Sequence, residues 1–253
     1  MMMPDLSRPE LHARVKSLAP DLIVSWFWTK KMPASFRACA KHGAIGVHPS
    51  LLPRHRGRDP FFWAIDRGDE MTGVSAHILD DEYDTGAVLG QRALYIDPSW
   101  NAWTLAKKLD RPSLALLREI VASYARGEPP PPTVQNDALA TEAPRPSDDD
   151  LELRWDAPSA DIARRVRAAS PWPGAFTAIG DEILVLLRVR ETRNFPRVLT
   201  PGQAFVRKDG IPIVRTGDGA IELLGARFDD DEDAPELDAS AIAEIVHAAR
   251  EIS

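Results

Sequence analysis

The sequence predicts an α/β protein: a layer of strands and helices in the first half and a small β-barrel in the second. Three observations carry this. Up to residue 126, short apolar runs alternate with amphipathic stretches, the rhythm of strands joined by helices around a mainly parallel sheet. Residues 127–150, "GEPPPPTVQNDALATEAPRPSDDD", hold six prolines and few large apolar side chains, the composition of an extended, semi-rigid linker. Beyond them, apolar runs are punctuated by Gly180-Asp181, Asp209-Gly210 and Asp218-Gly219, which mark tight turns between antiparallel strands. The expected division is therefore a domain over 1–126, a linker over 127–150 and a barrel domain over 151–253, with an acidic stretch and a terminal helix.

Each element has its own signal. "ELHARVKSLAP" spaces Leu11, Val15 and Leu18 as a helix and stops at Pro20. "DLIVSWFW" is apolar enough for a buried strand, in which Trp26 reads as core. "ASFRACAKHG" reads as a helix closed by Gly43, and "AIGVH" as a short strand running into Pro49. Asp59 and Pro60 suit the cap and first turn of a helix through "FFWAIDRGD". "TGVSAHILD" and "GAVLGQRALYI" give two more strands, and "AWTLAKKLDRPSLALLREIVASYARG" is helical on both sides of Pro112. In the second half, "SADIARRVRAAS" precedes the strands "AFTAIGDEILVLLRVRE" and "GQAFVRKDGIPIVRTGDGAIELLGARF", and "DASAIAEIVHAAREIS" ends the chain as a helix.

Composition narrows the class. The chain has 253 residues, 44% of them apolar and 27% charged, ordinary proportions for a globular protein. No apolar run approaches bilayer length, no secretory leader is evident and Cys39 is alone, so a cytoplasmic location with no membrane partner is expected. The net charge of −7 equals the seven acids between Asp229 and Asp238. The rest of the chain sums to zero, and only that one acidic surface should repel a phosphate backbone.

The residues with chemistry cluster after "AIGVH". His48 opens "HPSLLPRHRG", and "DTG" follows with Asp84 set 36 positions after the histidine. Taken singly, a histidine after a strand is a structural residue and Asp-Thr-Gly a turn. Read together with Trp63-Ala-Ile, "TGVSAHILDDEYDTG", "PWPGA" and "TGDG", in that order and spacing, the chain resembles the folate-dependent formyltransferase family over about residues 11–228. Within that family it resembles the branch that formylates methionyl-tRNA.

The resemblance implies a partial Rossmann-like formyltransferase domain followed by a small OB-like barrel. It also implies transfer of a formyl group from 10-formyltetrahydrofolate to a primary amine, with no metal. The acids of "DDEYD" do not have the spacing of an established cation site. By position His48 is the histidine that would act as an imidazolium donor to the oxyanion. Asp84 would hold its ring, raise its pKa and help take the amine proton. Trp28, Thr29, Lys30, Lys31 and Met32, with Asp80, Asp81, Glu82 and Tyr83, fall where the family holds the pterin ring. Ser50, Arg54 and Arg56 are candidates for acceptor contact, the arginines for a phosphate or carboxylate.

Two departures stand out. The family's catalytic asparagine falls on Gly46, which has no side-chain donor. Such a loss costs about 2.7–4 kcal/mol unless something replaces it. A water in the vacated space, Ser50 or His42 are the expected substitutes. The chain also begins roughly seventy residues after the family's start, so "DLIVSWFW" should be an exposed edge strand, to be covered by a second copy or a partner chain. Three rival functions stay open: N-formylation of a nucleotide-linked amino sugar or carrier-bound aminoacyl group, a catalytically silent folate- or partner-binding protein, and a 10-formyltetrahydrofolate hydrolase.

Overall fold

The computed structural model describes residues 5–28, 30–229 and 235–251. Thr29 and residues 230–234 of the acidic stretch lie outside the described residues. The chain divides into two compact units, one of residues 1–61, 70–97 and 105–145, the other of 62–69, 98–104 and 146–253.

In chain order the first elements are α1 (Pro9–Ser17), β1 (Ile23–Trp26), α2 (Ala34–Arg37), β2 (Ala44–His48), β3 (Arg56–Gly57), α3 (Pro60–Asp66), β4 (Met71–Ile78), β5 (Val88–Tyr95), α4 (Ala102–Ala125) and β6 (Glu142–Ala143). A four-stranded sheet in the order β1-β2-β4-β5 organises the first unit. Only β1 and β2 are parallel; β4 runs antiparallel to both β2 and β5. The expectation of a mainly parallel sheet is corrected here, for a physical reason. The connection from β1 to β2 carries a helix and can cross over, whereas β4 and β5 are joined by a loop alone and fold back as a hairpin.

β2 is buried at all five positions, and Ile45, Val74 and Ala76 are wholly shut from solvent. α4 buries Leu105, Leu109 and Leu116, each no more than 1% exposed, and lays Leu116 against β5, 3.2 Å from where a Cβ on Gly90 would stand. It runs unbroken past Pro112. A proline inside a helix costs about 3 kcal/mol, and each fully buried leucine returns about 1.5–3 kcal/mol, so packing prevails.

Two further expectations are corrected in this unit. Trp26 is not core: it is 46% exposed on an edge strand, stacked against Phe27 and donating its indole N–H to Ser113 Oγ at 3.0 Å. Nor is the proline-rich segment only a spacer. Thr133 and Val88 exchange two backbone hydrogen bonds of 2.8 Å, β6 pairs with β3, and Arg56 N–H donates to Thr141 O at 2.8 Å. Proline sets that segment extended, and an extended backbone can dock as a strand wherever its remaining N–H groups find partners.

The second unit contains α5 (Asp148–Leu151), α6 (Ser159–Ala169), β7 (Ala175–Ile179), β8 (Glu182–Thr192), β9 (Ala204–Val206), β10 (Pro212–Arg215), β11 (Ala220–Phe228), β12 (Leu237–Asp238) and α7 (Ala239–Glu251). Its antiparallel sheet has the order β7-β8-β11-β10-β9, with β12 also on β11. The turns after β7 and β9 place Gly180 and Gly210 at φ +62° and +82°, as the sequence demands. Among the described residues β7 and β9 do not pair, so the strands of the expected small barrel form a half-barrel. β11 divides one edge between β10 at 220–222 and β12 at 225–226, which leaves β9 short and terminal. Glu222, 3% exposed, is neutralised by Arg190 and Arg207, the latter at 2.7 Å, as a buried charge requires. Among the described residues no helix is long and apolar enough to cross a membrane.

Candidate active site

β2 ends in His48, β4 carries His77, and the loop between β4 and β5 carries Asp84; all three line one cavity of about 190 Å³ in the first unit. Phe27, Trp28, Val47, Phe61, Leu79 and Tyr83 form its apolar walls, and Gly46, Gly57 and Arg58 complete it. The volume is below that of a site for a whole drug-sized ligand, and suits the reactive end of a larger molecule.

Asp84 stands between the two imidazoles. His48 Nδ1 is 3.4 Å from Asp84 Oδ2, and His77 Nε2 is 3.6 Å from Asp84 Oδ1. The loop holding the carboxylate is pinned by three hydrogen bonds from two residues. Gly57 N–H donates to Asp84 Oδ2 at 3.0 Å, and Gln135 Nε2 donates to the carbonyls of Asp84 and Gly86 at 2.7 and 2.8 Å. Gln135 Oε1 in turn accepts from the Arg56 guanidinium at 2.9 Å. Asp84 has φ +58°, a left-handed conformation that asparagine and aspartate tolerate best and that needs surrounding support. Gly57 is required where it stands: at φ +126° a Cβ would lie 2.6 Å from Ala143 O.

His48 is 6% exposed. Its Nε2 lies 2.7 Å from the carbonyl of His55; a carbonyl only accepts, so Nε2 bears the proton. Burial lowers the pKa of His48, and the Asp84 charge only partly opposes it. Burial thus works against the resting imidazolium expected from the resemblance, while both ring nitrogens face acceptors, the His55 carbonyl and the Asp84 carboxylate. Burial likewise lowers His77, again against Asp84.

Gly46 is where expected, in the middle of β2, but neither side chain foreseen as a substitute for its missing donor lines the cavity. Leu79 Cδ2 sits 2.8 Å from where a Cβ would be. Ser50 Oγ donates to Arg54 O at 2.6 Å and shapes the loop. His42 is exposed and packs on Tyr124 at 5.4 Å.

Of the cofactor candidates, Trp28 and Tyr83 line the cavity. Lys31 pairs with Glu82 at 3.0 Å and sits over the Tyr83 ring, while Arg37 ties Met32 O at 3.0 Å to Asp81 at 2.5 Å and to Asp80 O. Asp80 accepts from Thr85. These residues join the two expected segments into one rim; Lys30 is exposed beside it. Ser50, Arg54 and Arg56 do not line the cavity, and Arg58 does. Sequence reading missed His77, Leu79, Phe27, Phe61 and Gln135. For His77 the available signal was its period-2 phase with Ser75 on β4.

Two family models match the chain, "Formyl transferase" over residues 3–121 and "Formyl transferase, C-terminal domain" over 146–240. Methionyl-tRNA formyltransferase of Myxococcus xanthus is 34% identical over 220 residues, covering 87% of this chain and 69% of the relative. The enzyme of the same name from Dehalococcoides mccartyi is 33% identical over 219 residues, with 87% and 69% covered. Among solved structures, HypX from Aquifex aeolicus in complex with tetrahydrofolic acid superposes with a TM-score of 0.70 at 21% identity, over 93% of this chain and 40% of that one. The N-formyltransferase from Helicobacter canadensis, in complex with folinic acid and dTDP-3-aminofucose, gives 0.61 at 16%, over 78% and 70%. At these identities the structures speak for the shared fold.

Proposed function

This chain belongs to the formyl transferase family, and from that premise we propose that it moves a formyl group from 10-formyltetrahydrofolate to a primary amine at the cavity lined by His48, His77 and Asp84. The observation that carries the reading is the Asp84 carboxylate set between two buried imidazoles under an apolar, aromatic wall.

The residues present fit a folate. Among the described residues Trp28 Nε1 is a buried donor with no hydrogen-bond partner, on a wall shared with Tyr83 and Phe27 that suits a flat heteroaromatic ring carrying acceptors. When bound, the folate supplies an activated formyl group on nitrogen. The transfer forms one carbon–nitrogen bond to the acceptor amine and breaks the one to the donor nitrogen. The amine loses a proton and the donor nitrogen gains one. His48 and Asp84 handle that proton: the Nδ1–Asp84 edge accepts it, giving an imidazolium against a carboxylate, and then returns it to the departing nitrogen. A neutral resting imidazole is the form able to begin this. For His48 also to steady the formyl oxygen, Nε2 must exchange the His55 carbonyl for that oxygen. Arg58, at the mouth, is placed to meet an anionic part of either substrate.

Methionyl-tRNA is the acceptor we propose, on the weight of relatives 31–34% identical over most of the chain. In the same reading the C-terminal half-barrel is OB-like, a class of module that binds nucleic acid. The test is formyl release from 10-formyltetrahydrofolate by the purified chain, with methionyl-tRNA, a nucleotide-linked amino sugar, or water as acceptor. Transfer to methionyl-tRNA is expected, with salt-sensitive binding. His48→Ala and Asp84→Asn should each lose roughly 100- to 10,000-fold. Release that needs no amine would identify a hydrolase, and undiminished release by His48→Ala would refute the site.

A further inference from the structure

In the antiparallel pairing of β2 and β4, Gly46 lies directly opposite His77, and directly opposed residues project to the same face of a sheet. A Cβ built on Gly46 would stand 3.6 Å from His77 Nε2. The imidazole on β4 therefore reaches the edge of the volume that a side chain at 46 would fill from β2. Leu79 Cδ2, 2.8 Å from the same point, closes the remainder. His77 is 2% exposed and yet lines the cavity.

Two acceptors face its ring: Ile78 O lies 3.0 Å from Nδ1, and Asp84 Oδ1 lies 3.6 Å from Nε2. A carbonyl only accepts, so Nδ1 bears a proton for Ile78 O; Nε2 bears one as well in the imidazolium, the form that the Asp84 charge favours against burial. At 3.6 Å that N–H is beyond ordinary hydrogen-bond length from Asp84. It keeps the freedom to serve a nearer oxygen once one enters the cavity.

From this juxtaposition we propose that His77 is a catalytic residue of this chain: its Nε2–H supplies from β4 the hydrogen bond to the formyl oxygen that Gly46 cannot supply from β2. The proposal rests on the formyl-transfer reading above. Charge develops on the formyl oxygen as the amine adds, and a donor fixed in a dry cavity acts on that charge more than on the ground-state carbonyl. His77 should consequently influence kcat far more than the binding of folate.

The experiment compares wild type with His77→Leu, His77→Gln, and His77→Leu combined with Gly46→Asn, in the formyl-transfer assay. Tetrahydrofolate binding is measured on each by quenching of tryptophan fluorescence, and His48→Ala serves as the control for the site itself. His77→Leu is expected to lose roughly 100- to 1,000-fold in kcat, the span for one oxyanion donor, with tetrahydrofolate affinity unchanged. His77→Gln, which keeps an N–H on β4, should retain more activity than His77→Leu. Gly46→Asn in the His77→Leu background should raise kcat again, since it restores a donor from β2 and meets only the flexible end of the Leu79 side chain.

Wild-type kcat in His77→Leu, with His48→Ala inactive, would overturn the role of His77 and leave the formyl-transfer reading intact. Equal losses in His77→Leu and His77→Gln, accompanied by lost tetrahydrofolate binding, would show a packing role and also overturn it. A wild type that releases no formyl group under any condition would overturn both.

Discussion

Gln135, in the proline-rich segment, offers the sharpest test of how the carboxylate is held. Its amide nitrogen donates to Asp84 O and Gly86 O at 2.7 and 2.8 Å, and its oxygen accepts from Arg56 at 2.9 and 3.1 Å. Replacement by leucine removes both donations to the loop. Each such bond contributes about 0.5–1.5 kcal/mol net, so their loss weakens the loop's pose by about 1–3 kcal/mol. If that energy keeps Asp84 in its left-handed conformation, the competent population falls roughly 5- to 150-fold. Gln135→Glu separates the two halves of the network. A carboxylate still accepts from Arg56 but sets acceptor against acceptor at both carbonyls, and should be the worse of the two. The assay is kcat/KM for 10-formyltetrahydrofolate, read beside the melting temperature. Leucine at this position with full kcat/KM and only a lowered Tm would refute the argument, because Asp84 would then hold itself.

Two further outcomes follow from the same geometry. Burial depresses the pKa of both His48 and His77, so below the ordinary imidazole value of about 6.5 the unfolded chain binds more protons than the folded one. Stability should be level above that pH and fall as the pH drops below it, with a shallower fall in His77→Leu; Tm measured from about pH 8 to pH 5 checks this. Gly57→Ala places a Cβ 2.6 Å from Ala143 O at φ +126°. It should push β3 from β6, release the Gly57 N–H bond to Asp84 and lower both Tm and turnover, the strain alone costing about 1–3 kcal/mol.

How much of this was legible in the sequence depended on whether the determinant was local. β2 and β4 were visible from composition alone, and His48 and Asp84 from their fixed spacing in a resemblance. Strand direction was not, because a run such as "TGVSAHILD" carries no mark of which way its neighbours run. Trp26 reads as core by its chemistry, and only the position of β1 at the sheet edge exposes it. Arg56 looks like a substrate cation in sequence, but it is 6% exposed and spent on Gln135 and Asp137. That pairing joins residues 79 and 81 positions apart, which no local pattern records. His77 was hidden for the same reason, since its importance lies in the register with Gly46.

That register explains why glycine at 46 need not silence the site. An oxyanion donor must be near the reacting oxygen and fixed, but nothing ties it to one strand. In an antiparallel pair the two opposed positions share one face and one small volume. With His77 Nε2 3.6 Å from the would-be Cβ at 46, and Leu79, just past the end of β4, nearer still, a longer side chain at 46 competes with both for the same space. The two arrangements are alternatives: either strand can present the nitrogen, and the other then gives way. Glycine at 46 is on this argument the condition that lets β4 approach, and its cost in rate is set by His77 rather than by the absent side chain.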